Sequence, residues 1–422
     1  LIDRAQRSQR ARMAAADRDA AAARVDEADA ARWAKVNATA FLAPSPEIRC
    51  VDASCIQTDP TELALRFSGV FGGAQASLTQ PLYTFGKIDA ARDAARAGLV
   101  AQGALADETA GDLALDAARA YWGLKLAREL RYMLEDGVDQ IKKAVDDLDQ
   151  RSASGDGDVT PQDRQRVQVL LAEARAQLAD AKAGEAQALA SVRALAEDAT
   201  VDIDEEPLEA LSFEPGADDP AVARAEQQRP QVRAAKAGAE AARRLADLEE
   251  RGYLPDLAAV ASVTVTRAQG TDEPPGAFFY DPYNQLNGTL ALGLRWNLEP
   301  WTTRAKVRRA RAAERRAEAL ARLAVVGADL DARSALADAR GAHEKLTAAE
   351  DGEQAARAWL AAVLQAEAIG TAEAKDLADA YIAWFQMRAR VVAAIFQWNV
   401  AAMRIRRAAG EFSLPVVRPS SR

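Results

Sequence analysis

Residues 285–298 alternate apolar and polar side chains. Leu286, Leu290, Leu292, Leu294, Trp296 and Leu298 fall on one face. Gln285, Asn287, Thr289, Arg295 and Asn297 fall on the other. A period of two marks a β-strand with unlike faces. Most of the chain around it has helical composition. A strand of such contrast is hard to explain there unless its two faces meet different solvents. The segment also sits inside a larger repetition. An Ala-rich helix, two alternating segments and a very long helical stretch occupy the chain to about residue 200. The same order returns from about residue 220 to 410. An offset of roughly 215 residues is too long for a solenoid and reads as an internal duplication.

Composition narrows the function. A net charge of −9 over 422 residues, with no basic cluster flanked by aromatics, argues against nucleic acid as a partner. Charged residues are dispersed along helical runs as solvated faces. One histidine, His343, and two cysteines cannot build a zinc centre or a Ser-His-Asp machine. His343 reads as a helix-surface or interface residue. Neither GxGxxG nor a P-loop is present, and no cofactor is expected. No stretch approaches the roughly 18–20 uninterrupted apolar residues of a transmembrane helix. The chain opens inside a helix-like run with no secretory signal, which fits a mature or trimmed form.

The expected organisation follows from patterns and breakers. Residues 1–32 are helix. Residues 33–85 hold two strands around a loop at 49–69. Val36, Ala38, Ala40 and Leu42 oppose Lys35, Asn37 and Thr39 in the first; Val70, Ala74, Ala76 and Leu78 oppose Gln75, Ser77 and Thr79 in the second. Residues 86–199 form a long helical hairpin. Leu130, Leu134, Val138, Ile141, Val145 and Leu148 repeat at coiled-coil spacing in its first arm. Residues 87–150 alone would measure about 95 Å as a helix. Its break carries Asp156 and Asp158 but lacks the later Gly and Glu of a calcium loop, so it reads as a turn. Residues 200–217 are an acidic connector and 218–252 a second entry helix. Residues 253–299 hold strands three and four around a loop at 270–284, where Leu257, Val263 and Val265 oppose Ser262, Thr264 and Thr266. Residues 300–410 form a second helical hairpin and 411–422 a tail.

Strands of this length with one apolar face suit a membrane β-barrel. Lipid tolerates no open sheet edge, and four strands are too few to close alone, so this reading demands an oligomer. Tyr83, Phe85, Tyr253, Trp296 and Trp301 stand where strands meet helices, the place of an interfacial aromatic belt in contact with membrane lipid. Phe278, Phe279, Tyr280 and Tyr283 would mark the opposite boundary. The alternative is a soluble coiled-coil envelope scaffold capped by small hairpins, because alternation also occurs in soluble antiparallel sheets.

The order of elements resembles that of the outer membrane efflux protein family over nearly the whole chain. Residues 14–30 are similar to the family's first helix. Gln80–Lys87 (QPLYTFGK) and Leu294–Leu298 (LRWNL) are similar to its two strand-to-helix junctions. Gly157–Asp163 (GDVTPQD) resembles its first helical turn, and Ile369-Gly370-Thr371 with Asp376 and Asp379 its second. The resemblance implies a mainly α chain with transmembrane β: a TolC-like fold. Four strands per chain would form a trimeric twelve-stranded outer-membrane barrel, continued by a long periplasmic α-helical barrel. It implies a homotrimeric exit duct of a Gram-negative tripartite efflux pump or type I secretion system, without a catalytic site. The implied partners are outer-membrane lipid, a periplasmic adaptor (membrane fusion) protein and an inner-membrane transporter of ABC, RND or similar type.

Residue by residue, Asp376 and Asp379 match the acidic ring at the family's periplasmic constriction, with Asp163 at the neighbouring turn. Six carboxylates near a threefold axis would attract cations. Two solvated aspartates favoured by the helix dipole are the alternative. Gly157, Val159, Ile369, Gly370 and Thr371 match the turns where adaptor hairpins dock. Glu367 and Ala372 depart from the aromatic and basic residues the family has there, so a different or weaker closed-state latch is expected. Cys50 and Cys55 fall in a loop that would face outside the cell, where a disulfide persists; free thiols are the alternative. Mass measurement with and without reductant separates the two.

Overall fold

The computed structural model describes residues 1–46, 67–153, 160–213, 228–269, 283–369, 371 and 374–410. Among them the elements are α1 (Ile2–Ala5), α2 (Gln9–Ala30), β1 (Lys35–Pro46), β2 (Phe67–Tyr83), α3 (Lys87–Ala153) and α4 (Pro161–Ala196). There follow α5 (Pro230–Glu250), β3 (Asp256–Ala268), β4 (Gln285–Arg295), α6 (Pro300–Ala368) and α7 (Ala374–Ala409). Helices α4, α5 and α6 each start on proline, whose fixed φ suits the first helical position and whose missing N–H is not needed there. Gly410, at φ +79°, ends α7 in the left-handed conformation that favours glycine.

The chain divides into two compact units. One comprises residues 20–99 and 238–317. Its centre is a four-stranded antiparallel sheet whose spatial order follows sequence order, β1-β2-β3-β4. The register sorts the faces. Val36 pairs Leu78, which pairs Ala261, which pairs Leu290. The next apolar rungs are Ala38–Ala76–Val263–Gly288 and Ala40–Ala74–Val265–Leu286. Between them lie Asn37–Ser77–Ser262–Thr289 and Thr39–Gln75–Thr264–Asn287 on the opposite face. The alternation of each strand is thus brought into phase across all four.

The other unit comprises residues 1–19, 100–237 and 318–422 and is built from helices. Helices α3 and α4 run antiparallel: Arg128 and Arg131 pair with Glu185, Glu135 with Lys182, and Asp149 with Arg164. Partner numbers fall on α4 as they rise on α3. Helix α7 also runs antiparallel to α3, with Asp112 against Arg407, Gly123 beside Phe396 and Gly137 under the Phe385 ring. A Cβ at Gly137 would sit 3.2 Å from that ring, so glycine there permits close approach. The main core joins α6 and α7 through Ala332, Ala335, Ala339, Ala342, Trp398 and Ala401. Small residues dominate this contact and let the helix backbones come close. A separate cluster of Leu360, Val363 and Ala380, with Leu377, Tyr381 and Trp384 against it, holds the start of α7 to the end of α6.

Residues 201–213 have no regular structure, and side chains hold them in place. Asn399, fully buried in the last third of α7, accepts from the Leu211 N–H and donates to the Glu209 carbonyl, both at 2.8 Å. The Trp398 indole N–H donates to the Leu211 carbonyl at 2.8 Å. Lys125 donates to the Glu206 carbonyl at 3.0 Å and pairs with Asp204 at 2.5 Å.

Candidate functional site

The sheet presents its apolar face outward. Leu286, Leu290 and Leu292 are 75%, 82% and 73% exposed, and Leu42 on β1 is 82% exposed. Leucine in such numbers on a water-facing strand is unfavourable: burying one contributes roughly 1.5–3 kcal/mol. The apolar run on β3 extends from Leu257 to Val265, where Arg267 supplies the first charge on that face. Eight steps at 3.4 Å make about 27 Å along the strand, close to the roughly 25 Å band of outer-membrane barrels before tilt. The opposite face carries Asn37, Thr39, Gln75, Ser77, Ser262, Thr264, Asn287 and Thr289, side chains suited to water. Both outer edges, β1 and β4, lack a partner strand among the described residues.

The aromatic end of the sheet is assembled by topology. The end of β2, the start of β3 and the end of β4 are neighbours in an antiparallel sheet. A register shift between Pro81 and Tyr83 brings Tyr83 opposite Leu257, which pairs Leu294 at the edge of the apolar face. The Tyr83 and Phe85 rings meet edge-on with centroids 4.6 Å apart. The Trp296 indole donates to the Tyr253 carbonyl at 3.0 Å. Trp301, on the first turn of α6, is 80% exposed. Sequence alternation alone could not have shown the shift at Leu82 that turns Tyr83 onto the apolar side.

The same end is locked by bonds between the two repeats. Lys87 Nζ donates to Asp256 at 2.9 Å and to the Leu254 carbonyl at 2.7 Å. The Arg251 guanidinium donates to the Gly86 carbonyl. Gly86 has φ +76° and Phe85 φ +51°, which makes the turn from β2 into α3 abrupt. Arg311 joins Asp247, Glu250 and Glu314, tying α6 to α5. Gly86 and Lys87 belong to the QPLYTFGK junction segment, but sequence patterns did not reveal Arg251, Asp256 or Arg311, because charged side chains near helix ends are common everywhere.

At the helical tips, Asp376 lies in the first turn of α7 and Asp379 one turn later. Both are exposed, three residues apart, with fully buried Ala380 behind them. Neither makes an ion pair or hydrogen bond among the described residues. Asp163 lies in the first turn of α4. Ile369 is 76% exposed at the end of the α6–α7 hairpin. The Thr371 N–H and hydroxyl both donate to the Ala366 carbonyl, at 2.9 and 3.0 Å, closing the end of α6. Gly157, Val159, Gly370, Cys50, Cys55 and the loop aromatics Phe278, Phe279 and Tyr280 lie outside the described residues. His343 is exposed on α6, its ring centroid 5.2 Å from that of Trp398. Among the described residues no helix is long and apolar enough to cross a membrane, and no group of His, Cys, Asp and Glu could hold a metal ion.

Residues 221–411 match the profile of a family described as "Outer membrane efflux protein". No curated protein matches by sequence. Solved structures match nearly the whole chain. The outer membrane protein VceC of Vibrio cholerae superposes with a TM-score of 0.77 at 18% identity, covering 98% of this chain and 96% of that one. The open-state MtrE outer membrane channel of Neisseria gonorrhoeae gives 0.78 at 18%, covering 97% and 88%. The CmeC outer membrane channel of Campylobacter jejuni gives 0.79 at 14%, covering 97% and 84%. At these identities the likeness is one of fold. It is the TolC-like fold, with four strands in one chain and long helices, and the family matched is one of outer-membrane proteins.

Proposed function

We propose that this chain, which has the fold of outer-membrane efflux channels and their family signature in its second half, is a passive exit duct. Three copies supply twelve strands and close the sheet in the outer membrane of a Gram-negative bacterium, and the helices extend into the periplasm. The carrying observation is the four-stranded sheet with one face of exposed leucines, one polar face and, among the described residues, two open edges. Hydrocarbon accepts the first face, a water-filled lumen the second, and neither solvent accepts the edges unless the sheet closes.

The duct serves a tripartite efflux pump or a type I secretion system, and its cargo is chosen by the inner-membrane transporter. Asp376 and Asp379 line the periplasmic constriction as an acidic ring, and Asp163, in the first turn of α4, helps hold the closed mouth. Their exposure and shared spacing on α7 support this role. The turns carrying Gly157, Val159, Ile369, Gly370 and Thr371 receive the hairpins of a periplasmic adaptor. Tyr83, Phe85, Tyr253, Trp296 and Trp301 sit at the membrane interface. Cys50 and Cys55 form a disulfide in the outer loop.

The test is direct. Protein purified in detergent should run as a heat-modifiable trimer and give small cation-selective conductance in planar bilayers. Replacing Asp376 and Asp379 together by Ala should raise conductance and reduce cation preference. A monomer soluble without detergent, or selectivity indifferent to both aspartates, would refute the duct or its ring respectively.

A further inference from the structure

A cavity of about 330 Å³ opens within the helical unit, and arginine dominates its wall. Leu115, Ala335 and Ala408 form an apolar part of the lining. Each aspartate of the wall is already engaged. Asp116 is held by Arg10 at 3.2 Å, Asp331 by Arg229 at 2.8 Å, and Asp112 by Arg407. Arg404 pairs with Asp338. Arg119, exposed on α3, then has no carboxylate partner among the described residues and leaves the wall one positive charge in excess.

Arg229 is the second observation. Its side chain is only 4% exposed, and its Nη2 serves Asp331. Its Nη1 is buried and has no hydrogen-bond partner among the described residues. A buried cationic donor left unsatisfied is costly, because it has lost water without gaining an acceptor. It borders a cavity of ligand size, beside a second arginine that carries uncompensated charge. Guanidinium groups recognise oxyanions through paired N–H donors, and an apolar wall strengthens that attraction by displacing water.

We propose that this cavity binds a small multivalent oxyanion, phosphate being its simplest member, through Arg229 and Arg119. Each of the three wall aspartates already has an arginine partner, so Arg119 supplies the charge in excess and Arg229 the unengaged Nη1 donor. The inference stands on the helical unit alone and does not depend on the duct reading.

The experiment uses the full chain in detergent, with inorganic phosphate titrated against chloride at constant ionic strength. Thermal unfolding and phosphorus NMR line width are the two readouts. Phosphate should raise the unfolding temperature saturably and broaden its own resonance on binding. Arg119→Ala, an exposed change, should weaken binding by about tenfold or more. Arg229→Gln should abolish it, and Arg309→Ala, in the other unit, should leave it unchanged. If Arg229→Gln fails to fold, Arg119→Ala alone decides. No saturable effect beyond that of chloride, or binding unaltered by Arg119→Ala, would overturn the proposal and leave a water-filled cavity.

Discussion

Leu290→Arg and Thr289→Arg form the sharpest paired test of the sheet's two faces. Leu290 lies at the middle of β4, 82% exposed, on the rung shared with Ala261, Leu78 and Val36. Thr289, one residue away, joins Ser262, Ser77 and Asn37 on the opposite face. In hydrocarbon, arginine at the bilayer midplane costs about 2–4 kcal/mol per chain. A tenfold change in equilibrium corresponds to about 1.4 kcal/mol, so Leu290→Arg should reduce the folded-to-unfolded ratio roughly 30- to 1000-fold. Arginine at 289 should cost close to nothing in a wet lumen. In water the signs differ: replacing a leucine this exposed by arginine is neutral or favourable. The assay is urea-dependent folding into lipid vesicles, followed by the fluorescence of the seven tryptophans and by heat-modifiability on gels. A Leu290→Arg protein as stable as the parent, or a Thr289→Arg protein losing as much, would refute the two-solvent reasoning.

Three further outcomes are expected. Asn399→Ala leaves the buried Leu211 N–H without an acceptor, which should cost about 1–3 kcal/mol and open residues 201–213 to limited proteolysis; unchanged proteolysis would count against the clamp. Gly86→Ala places a side chain at φ +76° and against the Arg251 guanidinium, so thermal stability should fall by about 1–2 kcal/mol or more; a Gly86→Ala protein as stable as the parent would show that the junction relaxes freely. Hydrogen bonds from the Thr200 hydroxyl and N–H, with Arg4 beside them, hold the Asp198 carboxyl down to about 2. A depressed folded value means that its stabilisation is complete above the ordinary carboxylate range near 4 and is lost as pH falls through about 2. Acid titration of the parent and Asp198→Asn should therefore converge between about pH 4 and pH 2, and a gap constant over that range would refute the assignment.

The sheet was legible in the chain because each strand carries two chemistries at a period no helix can imitate. Gln285, Asn287 and Thr289 against Leu286, Leu290 and Leu292 leave one choice of backbone. The pairing of β2 with β3 was not legible, since alternation sets which face a residue takes and is silent on which strand lies beside it. The apolar residues Tyr381, Trp384, Ile395, Trp398 and Ile405, spaced at helical intervals along α7, all reach hydrophobic clusters, so the buried face of that helix can be read from its spacing. The path of residues 201–213 was not legible, because its order comes from Trp398, Asn399 and Lys125, more than 70 residues away in sequence. A hint was available in Asn399, an amide placed inside a helix where its propensity is poor and a distant partner is needed. Arg229 carried no such hint: an arginine beside a proline looks solvated until the fold encloses it.

The in-sequence strand order has a consequence for parity. Neighbours are antiparallel throughout and the chain contributes an even number of strands, so β1 and β4 point in opposite directions. When β4 of one copy meets β1 of the next, the joint is antiparallel like every other, whatever the number of copies. The two edges differ in sequence and come from different repeats, so the joint is head-to-tail, and a ring rather than a face-to-face pair satisfies it. Each joint therefore brings the second repeat of one chain against the first repeat of its neighbour. A substitution on either edge acts across the subunit boundary, and mixing altered with unaltered chains would weaken only those joints that contain the altered edge.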